Sequence, residues 1–153
     1  MMLQDHGRIS QHDLAQGVGL SAPAVGERLR KLEERGVIRH YTVVLDSRKL
    51  GRDVTAFIAV GINGSHHFQD FLARAVGCPE VLECHSVTGQ GSHLLKIRTQ
   101  STSSLESLLA VIQAWPGVQW TTTSIVLSTN KETGRLALAV PDAASPGSVS
   151  GGT

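Results

Sequence analysis

The chain has 153 residues and a formal net charge of +1, so it can form one large domain or two small ones and is not strongly basic overall. No apolar run approaches the length of a membrane span, and no charged-then-apolar leader opens the chain. We therefore expect a soluble, cytoplasmic protein. Cys78 and Cys84 lack a second pair that would complete a zinc site, so we expect free thiols and no bound metal.

Two short helices joined by a glycine turn are predicted between residues 10 and 36. Ser10 is a typical N-cap of the first helix, in which Leu14 and Val18 share one face. Gly19 stands where the chain must reverse, and we expect a positive φ there. Ser21 then caps the second helix, which has Pro23 in its first turn and ends at Gly36, a residue suited to the left-handed position after a helix.

The second helix carries charged residues on the side opposite its apolar stripe. The apolar positions follow i, i+4, i+7 spacing and are Val25, Leu29 and Leu32. The other side presents Glu27, Arg30, Lys31 and Glu34, with Arg28 and Arg35 at the margin. Turn, caps and cations together predict a helix-turn-helix, a unit that places its second helix in the DNA major groove. The alternative is an ordinary helical hairpin with a solvated outer face.

The chain after residue 53 predicts a β-α-β-β-α-β order. Strands are expected over residues 54–62, 81–87, 93–98 and 118–127, and helices over 66–76 and 101–115. This order is the ferredoxin-like pattern, which makes the whole chain an α+β protein. Since two helices cover only one face of such a sheet, we expect a second copy to cover the other face in a homodimer.

These patterns divide the chain into four parts. Residues 1–46 form a (winged) helix-turn-helix DNA-binding domain, and residues 47–53 form a linker. Residues 54–136 form a ferredoxin-like effector-binding and oligomerisation domain. Residues 137–153 are rich in Ala, Pro, Ser and Gly, a composition that predicts a disordered tail.

Both domains contain short motifs, and the order of these motifs along the chain is typical of one family. In the first domain they are Gly-Arg-Ile-Ser at 7–10, Gly-Leu-Ser at 19–21, Arg-Lys-Leu-Glu at 30–33 and Gly-Val-Ile at 36–38. In the second they are Val-Leu-Glu-Cys-His at 81–85, Val-Thr-Gly at 87–89, Leu-Leu-Lys at 94–96 and Pro-Gly-Val at 116–118. Over about residues 3–136 the chain resembles the leucine-responsive and asparagine-responsive (Lrp/AsnC) family of transcriptional regulators.

This resemblance implies dimers that assemble into tetramers, octamers or larger rings, bind double-stranded promoter DNA and need no cofactor. It implies that the DNA-reading helix spans residues 21–35, with contacts from Ser21, Ala22, Pro23, Ala24, Arg28 and Lys31. It also implies that a small effector, commonly an amino acid, binds where dimers meet. The implied effector residues are Thr88, Gly89, Gln90, Gly91, Ser92 and His93, with Thr121 and Thr123 completing the pocket across an interface.

The glycine-rich turn has two interpretations. Its exposed N–H groups suit a carboxylate, but a plain hairpin turn has the same composition. Effector-responsive members of the family carry an acid followed by an aromatic residue where this chain has Ser92 and His93. Because Ser92 cannot pair with a ligand ammonium group, either the ligand differs, His93 has another role or amino-acid sensing is lost.

The chain also differs from the family at its front, where a full helix normally precedes the Gly-Arg-Ile-Ser motif. Only six residues stand before Gly7 here. Either the start is assigned late or the DNA-binding half is weakened.

Two functions follow from this reading. The first is a sequence-specific DNA-binding transcriptional regulator whose C-terminal domain oligomerises and senses a small molecule. The alternative is an effector-sensing and oligomerisation module with a weakened DNA-binding half, which co-assembles with full-length relatives. We do not expect an enzyme, since Glu83 and His85 share a strand face but the sequence places no third group beside them.

Overall fold

The computed structural model describes residues 2–138, which form two compact units. The first unit comprises residues 2–44 together with 132–138, and the second comprises residues 45–131. The segment that follows Lys131 thus groups with the N-terminal helices. The tail predicted over 137–153 lies outside the described residues from position 139 onward. Within the described part, no helix has the length and apolar character needed to cross a membrane.

Three helices make up most of the first unit: α1 (Met2–Asp5), α2 (Gln11–Val18) and α3 (Ala22–Glu34). The predicted caps are confirmed, because Ser10 Oγ accepts from the Asp13 N–H at 3.1 Å and Ser21 Oγ accepts from the Ala24 N–H at 3.4 Å. Gly19 ends α2 in the left-handed region, with φ 66°.

The end of α3 is a Schellman motif. Gly36, with φ 68°, donates its N–H to the Glu33 carbonyl at 2.9 Å. The next N–H, that of Val37, reaches the Leu32 carbonyl at 2.9 Å. Two carbonyls at the helix end are satisfied in this way, and the sequence prediction of the helix end at Gly36 is confirmed.

The first unit has a small apolar core. Leu14, Ala15 and Val25 are buried, and partly buried side chains surround them: Met2, Leu3, Ile9, Leu20, Ala22 and Leu29. A Cβ at Gly17 would overlap the Met2 side chain, so a glycine there lets α1 pack on α2. Val18 is 52% exposed, which corrects the expectation that it shares the covered face of Leu14. It is the last residue of α2, where the chain turns away at Gly19.

The segment after Lys131 is held against α1. The Gln4 side-chain amide donates to the Leu136 carbonyl at 3.0 Å and accepts from the Leu136 N–H at 2.8 Å. Arg135 Nη1 lies 2.7 Å from Asp5 Oδ1. Two polar side chains of α1, the shortest helix of the unit, thus bind the segment after Lys131. The sequence of α1 alone did not predict these contacts.

The second unit is a four-stranded antiparallel sheet with two helices. Its elements are β1 (Val54–Ile62), a 3₁₀ turn (Ser65–His67), α4 (Phe68–Gly77), β2 (Val81–Ser86), β3 (His93–Thr99), α5 (Thr102–Gln113) and β4 (Val118–Ile125). The strand order is β2-β3-β1-β4. The α+β fold class predicted from the sequence, with its βαββαβ order, is confirmed.

One face of the sheet carries the core of this unit. Side chains alternate along β1, so that Ala56, Ile58 and Val60 are buried while Phe57 is 37% exposed on the opposite face. The remaining buried apolar residues come from α4, α5, β3 and the turn that follows α5: Phe71, Ala75, Leu95, Ile97, Leu105, Leu108, Ile112 and Trp115. Helices α4 and α5 therefore cover one face of the sheet only.

Candidate functional sites

Helix α3 presents a polar surface away from its core. Among the predicted contact residues, Pro23, Arg28 and Lys31 are exposed and Ala24 is half-buried. Ala22 packs against the buried cluster, and the Ser21 hydroxyl is engaged as the N-cap. The predicted contact residues whose side chains are exposed and make no capping or core contact are therefore Pro23, Arg28 and Lys31.

The charges on α3 are unevenly paired. The Glu27 carboxylate lies 2.9 Å from Arg30 Nη2 and 3.4 Å from Lys31 Nζ, and Arg30 also contacts Glu34. Arg30 and then Lys31 hold the pKa of Glu27 below its usual value. Arg28 forms no ion pair within residues 2–138, so its guanidinium charge is not offset on the helix.

Glu27 belongs to this surface although the sequence analysis did not assign it a role. Its spacing of three and four residues from Arg30 and Lys31 could have revealed the pairing. A carboxylate between two cations reduces the net positive charge that these side chains present to phosphate. Among the cations of α3, Arg28 is thus the one without a carboxylate partner in the described chain.

The turn between β2 and β3 forms the second site. Val87 donates its N–H to the Ser92 carbonyl at 3.1 Å, and the Ser92 N–H reaches the Val60 carbonyl at 2.9 Å. Gly89 and Gly91 have φ values of 106° and 88°, which only glycine adopts readily. Within the described residues, the N–H groups at 88–91 donate to no protein acceptor. The turn therefore has four consecutive backbone N–H groups without a protein acceptor in the described part of the chain.

His93 is part of the core. Its imidazole is fully buried, with ring centroids 5.0 Å from Phe68 and 4.8 Å from Phe71. Nδ1 lies 3.0 Å from Ser92 Oγ, while Nε2 has no hydrogen-bond partner in the described structure. Burial lowers the pKa of His93. The imidazole thus packs beneath the turn, in the position of an aromatic core residue.

Thr121 and Thr123 lie on the helix-covered side of β4. Their register partners are Val60 and Ile58, and both of those side chains are buried. Gln113 Nε2 of α5 donates to Thr121 Oγ1 at 2.8 Å. Within one chain these threonines are not brought together with the turn at 88–92, so their assignment across an interface stays a prediction.

Trp120 lies against the turn, and the sequence analysis did not identify it. A Cβ at Gly91 would stand 3.2 Å from Trp120 Cη2 and 2.8 Å from the Val60 carbonyl oxygen, and a Cβ at Gly61 would overlap the indole. Gly61 pairs with Trp120 across β1 and β4. A glycine inside a strand, opposite an aromatic residue, is the signal that could have revealed this contact.

Other polar groups of the second unit have structural partners. Glu83 Oε1 lies 3.1 Å from Lys96 Nζ, and Glu83 Oε2 lies 3.2 Å from His85 Nε2. His85 and Lys96 hold the pKa of Glu83 below its usual value. Across residues 2–138, no three His, Cys, Asp or Glu side chains group closely enough to hold a metal ion.

Each unit has a recess. That of the first unit, about 430 Å³, has apolar side chains such as Leu3, Leu14 and Leu29 in its wall together with polar ones such as Arg30 and Glu33. That of the second, about 460 Å³, lies between Glu80, Thr99 and residues of α5 from Ser104 to Val111. The turn at 88–92 lines neither of these two recesses.

A capped helix-turn-helix with charged side chains exposed on its second helix, followed by a ferredoxin-like unit with a glycine-rich turn, is the architecture of a DNA-binding regulator with a ligand-binding domain. Residues 2–39 match the winged helix-turn-helix DNA-binding model, and residues 55–136 match the Lrp/AsnC ligand binding domain. The chain belongs to the Lrp/AsnC family of transcriptional regulators, as its motifs predicted.

Individual relatives agree over most of their length. The HTH-type transcriptional regulator FL11 of Pyrococcus horikoshii is 35% identical over 135 residues, which are 88% of this chain and 89% of that protein. The crystal structure of a Neisseria meningitidis transcriptional regulator in complex with L-methionine has a TM-score of 0.85 at 31% identity, covering 89% of this chain and 90% of that one. The feast or famine regulatory protein of M. tuberculosis, complexed with L-methionine, has a TM-score of 0.82 at 33% identity, covering 88% and 91%.

Proposed function

We propose that α3 of this transcriptional regulator reads DNA through Ala24, Arg28 and Lys31, and that an amino acid bound at residues 88–92 changes the assembly or the DNA affinity of the protein. The exposed Arg28 guanidinium, without an ion-pair partner in the described chain, is the observation that carries the DNA part. Arginine can contact phosphate or bind guanine through two hydrogen bonds. Ala24 permits a close approach of the helix backbone to the groove.

The amino-acid part is supported by the turn and by two relatives. Free N–H groups at 88–91 suit a carboxylate, and the N. meningitidis and M. tuberculosis regulators named above were solved with L-methionine. The missing acid at Ser92 leaves the recognition of the ligand ammonium group to other residues. We also propose that the protein acts in the cytoplasm with its DNA.

The proposed assembly is a homodimer that builds tetramers or octamers. Its support is the sheet face opposite α4 and α5, which the helices of the chain leave uncovered and which exposes Phe57. A sheet face that one chain leaves uncovered is commonly covered by a second copy. The predicted roles of Thr121 and Thr123 depend on such an interface.

The DNA part is tested by Arg28→Ala, with Arg30→Ala as the matched control. Arg30 lies two positions away on the same helix but is engaged by Glu27 and Glu34. We expect Arg28→Ala to weaken binding to the upstream DNA of the protein's own gene about five- to 150-fold in a mobility-shift titration, and Arg30→Ala to weaken it less. Binding should also fall steeply as salt rises.

A second variant, Lys31→Ala, completes this test. Unchanged affinity for both Arg28→Ala and Lys31→Ala, with intact circular dichroism, would contradict the assignment of α3 as the DNA-reading helix. Failure of the unaltered chain to bind DNA at low salt would instead favour the sensing module that co-assembles with relatives.

The effector part is tested by Gly91→Ala, with Gly77→Ala as control. A Cβ at Gly91 meets the Val60 carbonyl and requires an unfavourable φ, whereas a Cβ at Gly77 meets nothing within 4 Å. We expect Gly91→Ala to abolish calorimetric binding of L-methionine or of another L-amino acid from a panel, and Gly77→Ala to leave it unchanged. Equal binding by both variants would remove the turn from the effector site.

A further inference from the structure

Two glycines from different elements leave room for the indole of Trp120. Gly61 of β1 lies under the indole, and Gly91 of the turn lies at the edge of the ring. The residue is 40% exposed, so the side chain is supported on one side and still open to solvent. The edge of an aromatic ring is thus placed beside Gly91, the last of the residues 88–91 whose N–H groups have no protein acceptor in the described part of the chain.

No carboxylate lies close to this turn on the strands. Among the residues of β1 to β4, Glu83 is the one acidic side chain, and it is engaged by Lys96 and His85. Glu83 pairs with Lys96, three residues beyond His93, which places it about 10 Å along the sheet from the turn at about 3.3 Å per residue. Thr88, Gln90 and Ser92 offer only neutral oxygens near the free N–H groups.

We propose that the indole of Trp120 receives the ammonium group of the effector, in place of a carboxylate. The inference rests on the proposed function, because it assumes that an amino acid binds at the turn. Its carboxylate accepts from the N–H groups at 88–91, while its ammonium group lies against the electron-rich face of the ring. A Cβ at Gly91 would stand 3.2 Å from Trp120 Cη2, so the N–H of Gly91 and the indole are neighbours.

The strength of this contact sets the expected effect. A cation held over a tryptophan face corresponds to roughly a two- to thirtyfold gain in affinity, depending on how far water is excluded. A ligand that lacks the amine gains nothing from the ring quadrupole, although it still benefits from apolar contact. Trp120 therefore discriminates between an amino acid and its amine-free analogue.

The test compares L-methionine with 3-(methylthio)propionate, which keeps the carboxylate and thioether but lacks the amine. Calorimetric titrations use the full chain, Trp120→Leu and Trp120→Phe, with Val76→Ala, at an exposed apolar residue of α4, as a control away from the sheet face. We expect Trp120→Leu to weaken L-methionine about two- to thirtyfold, with Trp120→Phe between it and the unaltered chain. The amine-free analogue should bind all four proteins alike, and Val76→Ala should match the unaltered chain for both ligands.

A shape-preserving series guards against a folding defect in Trp120→Leu. Biosynthetic incorporation of progressively fluorinated tryptophans weakens the ring quadrupole without changing the packing at Gly61 and Gly91. Affinity for L-methionine should fall stepwise with fluorination, and affinity for the analogue should stay constant. Biosynthetic incorporation also fluorinates Trp115. Because Trp115 is buried in the core, we expect its fluorination to change the affinity for both ligands equally.

The outcomes separate this inference from the function on which it rests. If L-methionine binds the unaltered chain and Trp120→Leu equally, or if fluorination weakens both ligands alike, the ammonium contact is wrong while the turn remains the effector site. A change in sedimentation without a change in affinity would assign Trp120 to the interface between copies and also overturn the inference. If neither L-methionine nor any amino acid of the panel binds the unaltered chain, both proposals fail.

Discussion

The two units of this protein differ most in the size of their cores. The DNA-binding unit buries three apolar residues, of which only Leu14 and Val25 are large, whereas the ligand-binding unit buries eleven. Each large buried side chain contributes about 1.5–3 kcal/mol. The first unit therefore depends on its caps, its Schellman motif and the contacts of Gln4 and Asp5. The second is stabilised mainly by packing.

This difference indicates that the DNA-binding unit is the part of the chain most easily perturbed. Low local stability is common in elements that move or order on binding. It also makes the attachment of α1 to residues 135 and 136 important, because three helices with so few buried side chains have little margin. The ligand-binding unit has the rigidity needed to hold a turn in a fixed shape.

Leu14→Ala is expected to have the largest effect and tests the comparison directly. Removing a buried leucine costs about 2–5 kcal/mol, which should unfold the first unit and abolish DNA binding. The second unit should keep its own thermal transition in circular dichroism. Val18→Ala, on the half-exposed residue at the end of α2, is the control. A single transition that shifts as a whole would show that the two cores are not independent.

Gly61→Ala tests packing in the second unit, on the sheet face opposite its core. The added methyl overlaps the indole of Trp120, and we expect a loss of about 1–3 kcal/mol in urea unfolding of the second unit. The same substitution in a Trp120→Ala background should be close to neutral, since the ring is then absent. An equal loss in both backgrounds would mean that the cost arises elsewhere in β1.

His93 provides a pH-dependent test of the core of the second unit. Its folded pKa lies below the ordinary value of about 6.5, so the unfolded chain takes up a proton more readily. The stability due to neutral His93 is present above about pH 6.5 and is lost as pH falls toward the folded pKa. His93→Phe should flatten unfolding free energies between about pH 7 and pH 5. A slope equal to that of the unaltered chain would assign the pH dependence to other groups.

Glu83→Gln should have the smallest effect. The carboxylate is 45% exposed, and ion pairs at such positions contribute less than about 1 kcal/mol after screening by solvent. The small loss in urea unfolding should disappear at high salt. A loss comparable to that of Gly61→Ala would show that this exposed ion pair stabilises the unit as strongly as the packing of Trp120 on Gly61.

Local sequence determined most of the secondary structure and the family. The caps at Ser10 and Ser21 and the glycines after α2 and α3 act on backbone groups within a few residues, so their effect can be deduced from spacing alone. The apolar, β-branched composition of β1 and the helical periods of α4 and α5 predicted these three elements to within about two residues for the same reason. The helix-turn-helix and the glycine-rich turn were predicted from motifs of adjacent residues.

Only the tertiary structure decided which side chains share a site. Trp120 reaches the turn because β1 lies between them and carries a glycine opposite the ring, and His93 faces the core because the ladder orients it between Phe68 and Phe71. The pairing of Gln4 with Leu136 joins residues 132 positions apart. Such contacts depend on the register of the strands and on the path of the chain in three dimensions. Both bring residues together that are distant in the sequence, and neither leaves a local periodic signal.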